Sequence, residues 1–342
     1  MYVWILFVSL LLCLLALDLG VFHRRSRIVT AREGFSWSLV WMTAAALFAV
    51  VIFYAYDQQW SGLGTVPDPV ERTAALPDGV INDGGNAVIK YLTGYVVELS
   101  LSVDNMFVIA MLFRVFAVPA AFQHRVLFWG ILGALVMRGV MIVLGTHLIA
   151  RFDWMLPVFG VFLLATGVKM LFLDTAQADP GQGRLVRLIR RWFPVTDEYH
   201  GDRFIVRDGA GALLLTPLAV ALVLVEATDL LFAVDSIPAI LAVTADPFLV
   251  FASNAFAILG LRSLYFALAE ALDAFHYLKY SLALVLMLIG VKMLAHGWLR
   301  ELLGDHFHIY ILGGVVLILA AGIGASILRP QAVPTVARTE LQ

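Results

Sequence analysis

"VVELSLSVDNMFVIAML" (96–112) places Glu98 and Asp104 inside a run otherwise apolar enough to cross a membrane, and "VEATDLLFAVDSIPAIL" (225–241) repeats the arrangement with Glu226, Asp229 and Asp235. Aligned, "ELSLSVDN" (98–105) and "DLLFAVDS" (229–236) share one pattern: an acid, five residues, Asp, then Asn or Ser. A charge at the centre of a membrane helix costs about 2.5–3.5 kcal/mol even on the lenient insertion scale. Five uncompensated acids would cost on the order of 12–17 kcal/mol. The cost is too high for ornament, and the repetition suggests that the two stretches act together.

The surrounding chain is built for lipid. Of 342 residues, 61% are hydrophobic and 14% charged, against about 25% charged in ordinary soluble domains. Mean hydropathy is +0.91, and the apolar residues fall in blocks of about 20, the length of a spanning helix. The expectation is an all-α, polytopic membrane protein. A net charge of −2 gives no polybasic character for nucleic acid. The single cysteine, Cys13, excludes a disulfide framework, a CxxC pair and a cysteine metal site. There is no haem-type His pairing and no flavin or iron–sulfur signature, so neither a resident cofactor nor an enzyme is expected. The start, "MYVWILFVSLLLCLLALDLG" (1–20), lacks a basic leader and a small-x-small cleavage site; it reads as a retained helix, not a signal peptide.

Nine spans are expected, near 2–22, 37–56, 91–113, 126–149, 154–173, 212–237, 248–269, 279–295 and 309–328. Fifteen loop or tail Lys and Arg fall on one side, including Arg24, Arg25, Arg27 and the six arginines of 174–211. Only Arg72, Lys90, Arg151 and Arg300 fall on the other. The positive side is cytoplasmic, which puts the N-terminus outside and the C-terminus inside a bacterial inner membrane. The 57–90 loop is then external and reads as loosely ordered. The 174–211 segment reads as a cytoplasmic linker, with a short amphipathic helix at 184–193 on the membrane surface.

The echo extends beyond the acids. "LLATGVKMLF" (163–172) aligns with "LMLIGVKMLA" (286–295), and between the landmarks each copy carries a mid-span arginine, Arg138 and Arg262. Two copies of a three-helix unit follow, 91–173 and 212–295. Three is odd, so the second must enter from the opposite side. Around them lie 1–90 (two peripheral helices and the external loop), the 174–211 linker, and 296–342 (a final helix and short tail). Inverted repeats of this kind place a substrate site near the midplane, at the repeat interface.

Residues six apart lie about 120° round a helix, so Glu98 and Asp104 do not share a face, nor do Asp229 and Asp235. Glu226 and Asp229, three apart, do. Convergence would be easier if the helices broke near Asp104 and Asp235, and Pro238 favours a break in the second copy. Lys169 and Lys292, nearer span ends, would snorkel to headgroups. Buried salt bridges with the two arginines would neutralise at most two of the five acids. The excess, with Ser100, Ser102, Asn105, Thr228 and Ser236 beside it, points to a cation site. Oxygen donors without Cys or His select hard cations such as Mg²⁺, Ca²⁺ or Mn²⁺. "DHFH" (305–308) reads as a solvated loop.

At "ELSLSVDNMFV", "VEATDLLFAVDSIPAI" and "DPFLVFASNAFAILGLRSLYFAL" (246–268) the chain resembles the TerC family of integral membrane proteins, and within it the bacterial Alx branch. The resemblance runs from the first span to the ninth. It implies kinship with lysine-exporter-type transporters and export of Mn²⁺ as substrate, with protons as a candidate coupling ion. It carries the metal-binding role onto Glu98, Asp104, Asn105, Glu226, Asp229 and Asp235, and adds Asn254 from "SNAFAILG". Two rival expectations stand beside export. One is a non-transporting membrane protein that helps metallate or assemble secreted proteins, and the other is a membrane redox or stress modulator.

Overall fold

The structure, a computed structural model, describes residues 2–20, 30–72, 79–152, 154–172, 184–196, 198–207, 211–268, 277–303 and 307–328. Eleven α-helices dominate the described residues: α1 (Tyr2–Gly20), α2 (Ala31–Asp57), α3 (Gly84–Val115), α4 (Ala120–Arg151), α5 (Met155–Phe172), α6 (Arg184–Trp192), α7 (Pro217–Leu241), α8 (Pro247–Leu268), α9 (Leu278–Leu294), α10 (His296–Leu303) and α11 (Phe307–Leu328). Helix is what a chain in lipid must form, because each backbone group then finds its partner within the segment. Seven of these helices are long and apolar enough to cross a membrane: α2, α3, α4, α5, α7, α8 and α11. The other two expected spans correspond to α1, whose apolar stretch is the shorter Tyr2–Leu17, and to the 17-residue α9.

Local signals set the helix starts. Thr30 caps α2, accepting the Glu33 N–H at 3.4 Å, and Asp83 caps α3 through the Asn86 N–H at 2.7 Å. Thr216 caps α7 with Pro217 in the first turn, where a missing N–H costs nothing. Asp246 accepts the Phe248 N–H at 3.0 Å to start α8 behind Pro247.

Neither expected break occurs. α3 runs unbroken through Asp104, and α7 through Asp235 and Pro238. Pro238 lies in the last turn of α7, where the only hydrogen bond lost is its own, and the Pro238 carbonyl still accepts the Ala242 N–H at 2.9 Å.

The main packing partners across the two expected units are α5 with α9, α3 with α8, α4 with α7, α3 with α7 and α4 with α8. Exchanging α3, α4, α5 for α7, α8, α9 maps this set of pairs onto itself. α2 packs on α8 and α3, and α11 on α9 and α3. Aromatic contacts among Phe7, Phe48, Phe248 and Phe256 tie α1 and α2 to α8.

Helices approach closely where glycine removes a side chain, as expected where lipid supplies no hydrophobic drive and packing must hold helices together. In the α5–α9 seam a Cβ on Gly290 would stand 2.9 Å from the Gly160 carbonyl, and one on Gly167 would stand 2.8 Å from the Ala283 carbonyl.

At the end of the bundle where α2 hands over to α3, the described parts of the connection, 58–72 and 79–83, are folded against the expectation of a loose loop; residues 73–78 lie outside the described set. Strands β1 (Pro67–Asp68) and β2 (Val80–Ile81) pair antiparallel and deliver Asp68 and Glu71 into the protein, both 2% exposed. Lys90, which α3 captures because it starts earlier than expected, bonds Asp68 at 3.0 Å, Glu71 at 2.8 Å and Asn82 at 2.6 Å. The Thr244 hydroxyl and the Ala245 N–H also donate to Asp68, and His308, in the first turn of α11, lies 2.7 Å from Glu71. Lys292 does not snorkel: it is 1% exposed and donates to the Ala242 carbonyl. The expected solvated loop at 305–308 therefore supplies, at His308, part of a buried network; residues 305 and 306 lie outside the described set.

Burial alone would push the Asp68 and Glu71 carboxyls up. The Lys90 ammonium, with Thr244 and Ala245 at Asp68 and with His308 at Glu71, outweighs it and holds both below the usual carboxylate range. Their folded-state values being depressed, their contribution to stability is complete above about pH 4.5 and is lost as pH falls below it.

At the opposite end, the described part of the stretch expected as a linker is folded onto the bundle. α6 occupies the expected amphipathic position, and β3 (Ile205–Arg207) pairs with β4 (Leu213–Leu215). The Tyr199 hydroxyl donates to the Phe116 carbonyl at 2.6 Å, and Arg125 pairs with Asp202. Residues 174–183, 197 and 208–210 of the stretch lie outside the described set.

Two stability measurements test this packing. Gly290→Val should lower stability in detergent by about 1–3 kcal/mol, while Gly324→Ala, whose Cβ would meet nothing within 4 Å, should leave the melting temperature unchanged. Lys90→Met strands two buried carboxylates and should cost about 3–5 kcal/mol at pH 7, with a smaller deficit below pH 4, where those acids protonate. An equal deficit at both pH values would contradict the ion-pair account.

Candidate functional site

Arg138 projects from α4 into the seam between α3, α7 and α8 and is 1% exposed. A guanidinium does not give up its proton in a protein, so burial there requires partners, and it has four. Glu98 of α3, 0% exposed, pairs through Oε1 with Nη1. Asp229 of α7 takes the guanidinium side-on, Oδ1 at 2.9 Å from Nη2 and Oδ2 at 3.3 Å from Nε. That two-bond fork fixes orientation as well as charge. Asn254 of α8 accepts from Nη1 at 3.1 Å, and Ser236 of α7 stands 3.4 Å from the same nitrogen.

The carboxylates are themselves oriented. The Ser102 hydroxyl, one turn along α3, donates to Glu98 Oε1 at 3.4 Å. Glu98 Oε2 is buried with no hydrogen-bond partner among the described residues. The Asn254 amide N–H donates to the Val250 carbonyl at 3.2 Å, which turns its oxygen toward Arg138. Two carboxylates face one guanidinium, so the cluster carries an excess negative charge when both are ionised.

Glu226 sits one turn before Asp229, on the same face of α7. Its carboxylate lies against α4 where Gly133 leaves room: a Cβ there would come within 2.0 Å of Oε1. Its Oε2 is also buried without a hydrogen-bond partner among the described residues. Gly133 is a site residue that sequence reasoning missed, since a glycine in a span gives no sign of what it faces.

The other expected ligands stand differently. Asn105 is buried, 3% exposed, seven residues from Glu98 and so on the same stripe of α3. Ser236 stands in the same relation to Asp229. Asp235 is half-buried and is not among the groups bonded to Arg138; six residues beyond Asp229 on an unbroken helix, it turns away and has the exposed Lys169 of α5 as its charged neighbour. The side chain of Asp104 lies outside the described set. Arg262, the mid-span arginine of the second expected copy, has its Nη1 3.3 Å from His124 of α4. Among the described residues no three Asp, Glu, His or Cys side chains form a preformed metal cluster. What converges is two acids, an amide and a hydroxyl around a guanidinium.

The family model for "Integral membrane protein TerC family" matches residues 83–332. An uncharacterized membrane protein of Myxococcus xanthus is 41% identical over 332 residues, 97% of this chain and 94% of its own length. Alx of Photorhabdus laumondii, provisionally named a membrane-bound redox modulator, is 42% identical over 321 residues, 93% of this chain and 92% of its own. The protein of the same name from Escherichia coli K12 is 46% identical over 292 residues, 85% of each chain. No solved structure matches the chain at a significant level. A match through both acidic helices and the bundle around them decides the kinship: the chain belongs to the TerC family of integral membrane proteins.

Proposed function

We propose that this protein exports a hard divalent cation, Mn²⁺, across the inner membrane by alternating access. The observation that carries the reading is the meeting of Glu98 and Asp229, one from each expected repeat, on a single buried guanidinium. Opposed carboxylates held by an internal cation can exchange that cation for another. In this reading Arg138 is the stand-in for cargo. Mn²⁺ enters by displacing it and takes oxygens from Glu98, Asp229 and Asn254. Glu226 supplies a further carboxylate one turn away. Asp104, Asn105 and Asp235 line the path or join the site in another conformation. Oxygen donors without thiolate or imidazole fit a hard cation, and Mn²⁺ is the one that the TerC resemblance implies.

Moving two charges outward against an inside-negative potential costs about 4.6 kcal/mol per 100 mV. Proton return through the same carboxylates would offset it, with Glu226, whose Oε2 has no hydrogen-bond partner among the described residues, as the carrier. With the α2–α3 connection outside, cargo leaves past the Asp68–Lys90–Glu71 network, so outward release requires that network to part.

Cells expressing the wild type should hold less manganese and tolerate more of it. Glu98→Gln and Asp229→Asn should each remove at least about nine-tenths of that effect, the tenfold scale of one lost charge-assisted contact. Arg138→Gln should tighten Mn²⁺ binding in detergent while slowing turnover in proteoliposomes, because the competitor is gone but so is the group that expels the cargo. Wild-type protein that leaves cellular manganese unchanged overturns export and favours a non-transporting partner. Binding weakened in Arg138→Gln overturns the stand-in role.

A further inference from the structure

We infer that α6 is an interfacial anchor that docks on the anionic lipid surface of the leaflet beside it. The helix, "RLVRLIRRW", carries four arginines and no acid in nine residues. Counting about 100° per residue, its described side chains fall into three stripes. Val186 and Ile189, 5% and 7% exposed, face the bundle in a core shared with Val126 and Leu127 near the start of α4 and Leu218 at the start of α7. Leu188 and Trp192 lie about 110° round from that stripe and are 50% and 73% exposed. Arg187 and Arg191 lie about 100° further and are exposed.

The protein therefore covers only half of the apolar sector, and the uncovered half adjoins the arginines. Phe193, just past the helix, is 55% exposed as well. Because Val186 and Ile189 pack at the level where α4 and α7 begin, α6 lies where the spanning helices leave the hydrocarbon. At that depth each stripe has a partner: acyl chains and the interface for Leu188 and Trp192, phosphates for the guanidinium forks. The occupant is thus the phosphodiester headgroup layer of an anionic lipid. An arginine near such a surface is worth about fivefold in the docked population, so Arg187 and Arg191 together are worth about thirtyfold.

The test uses the full chain with Cys13→Ser, reconstituted in vesicles of phosphatidylcholine alone or with phosphatidylglycerol. A nitroxide is attached in turn to Arg187→Cys, Leu188→Cys, Arg191→Cys and Trp192→Cys, and its collisions with oxygen and with a water-soluble nickel chelate are compared. Labels at 188 and 192 should favour oxygen at least about fivefold more than labels at 187 and 191, and more so with phosphatidylglycerol. Arg187→Gln with Arg191→Gln should remove the dependence on anionic lipid at 188 and 192. Equal chelate access at all four positions overturns the docking, and depth indifferent to lipid charge overturns the anionic partner. Neither readout involves manganese.

Discussion

A guanidinium buried in a membrane bundle cannot shed its charge, and the centre of this structure is arranged around that constraint. Arg138 collects Glu98, Asp229, Asn254 and Ser236 from three helices. Removing it would leave two carboxylates facing each other in low dielectric, where one would have to take a proton or find another cation. The same constraint explains why the acids tolerate the bundle interior. Each group is costly singly, and the set is neutral to within one charge.

The helices can meet closely enough for this because their seams are lined with small residues. A Cβ on Gly94 would stand 2.8 Å from Ser253 Oγ, one residue before Asn254, which brings α3 and α8 together near the site. Gly133 does the converse on α4, leaving a recess for the Glu226 carboxylate. The glycines therefore serve two ends, backbone approach in one seam and room for a charged group in another. A rigid seam such as α5–α9 and a polar seam such as α4–α7 are also different mechanical elements. Under alternating access the first suits a unit that moves whole, and the second an interface that rearranges.

Much of this was legible in the sequence for a plain physical reason. Block-length apolar runs and intramembrane acids have few structural solutions, so the helical class, the acidic helices and the two repeated landmarks could be read directly. What could not be read was the direction of each side chain. The sequence suggested that Asp104 and Asp235 needed broken helices to converge. The structure keeps α3 and α7 whole and gathers a narrower set, because a long arginine reaches where a bent backbone was expected to. Lys292 was misread for a related reason. A lysine near a span end can snorkel or turn inward, and which occurs depends on a partner that sequence places far away, here the Ala242 carbonyl.

The departure from symmetry is where the two expected repeats stop being interchangeable. Each expected copy carries one mid-span arginine, yet Arg138 lies at the centre and Arg262 beside His124, toward the end of the bundle that carries α6. Likewise Lys169 is exposed while its counterpart Lys292 is buried. A perfectly two-fold carrier would present the same barrier to each side. Here one end is closed by a buried network of Asp68, Glu71, Lys90 and His308, and the other by folded segments with the exposed Arg125–Asp202 pair, whose side chains are 41% and 51% exposed. Exposed pairs are worth at most about 1 kcal/mol, and breaking buried ones costs several times that. If the protein opens to both sides, the two openings therefore carry different costs. The costlier one lies at the hairpin, and under the proposed export, release there would have to be driven by cargo or by protons.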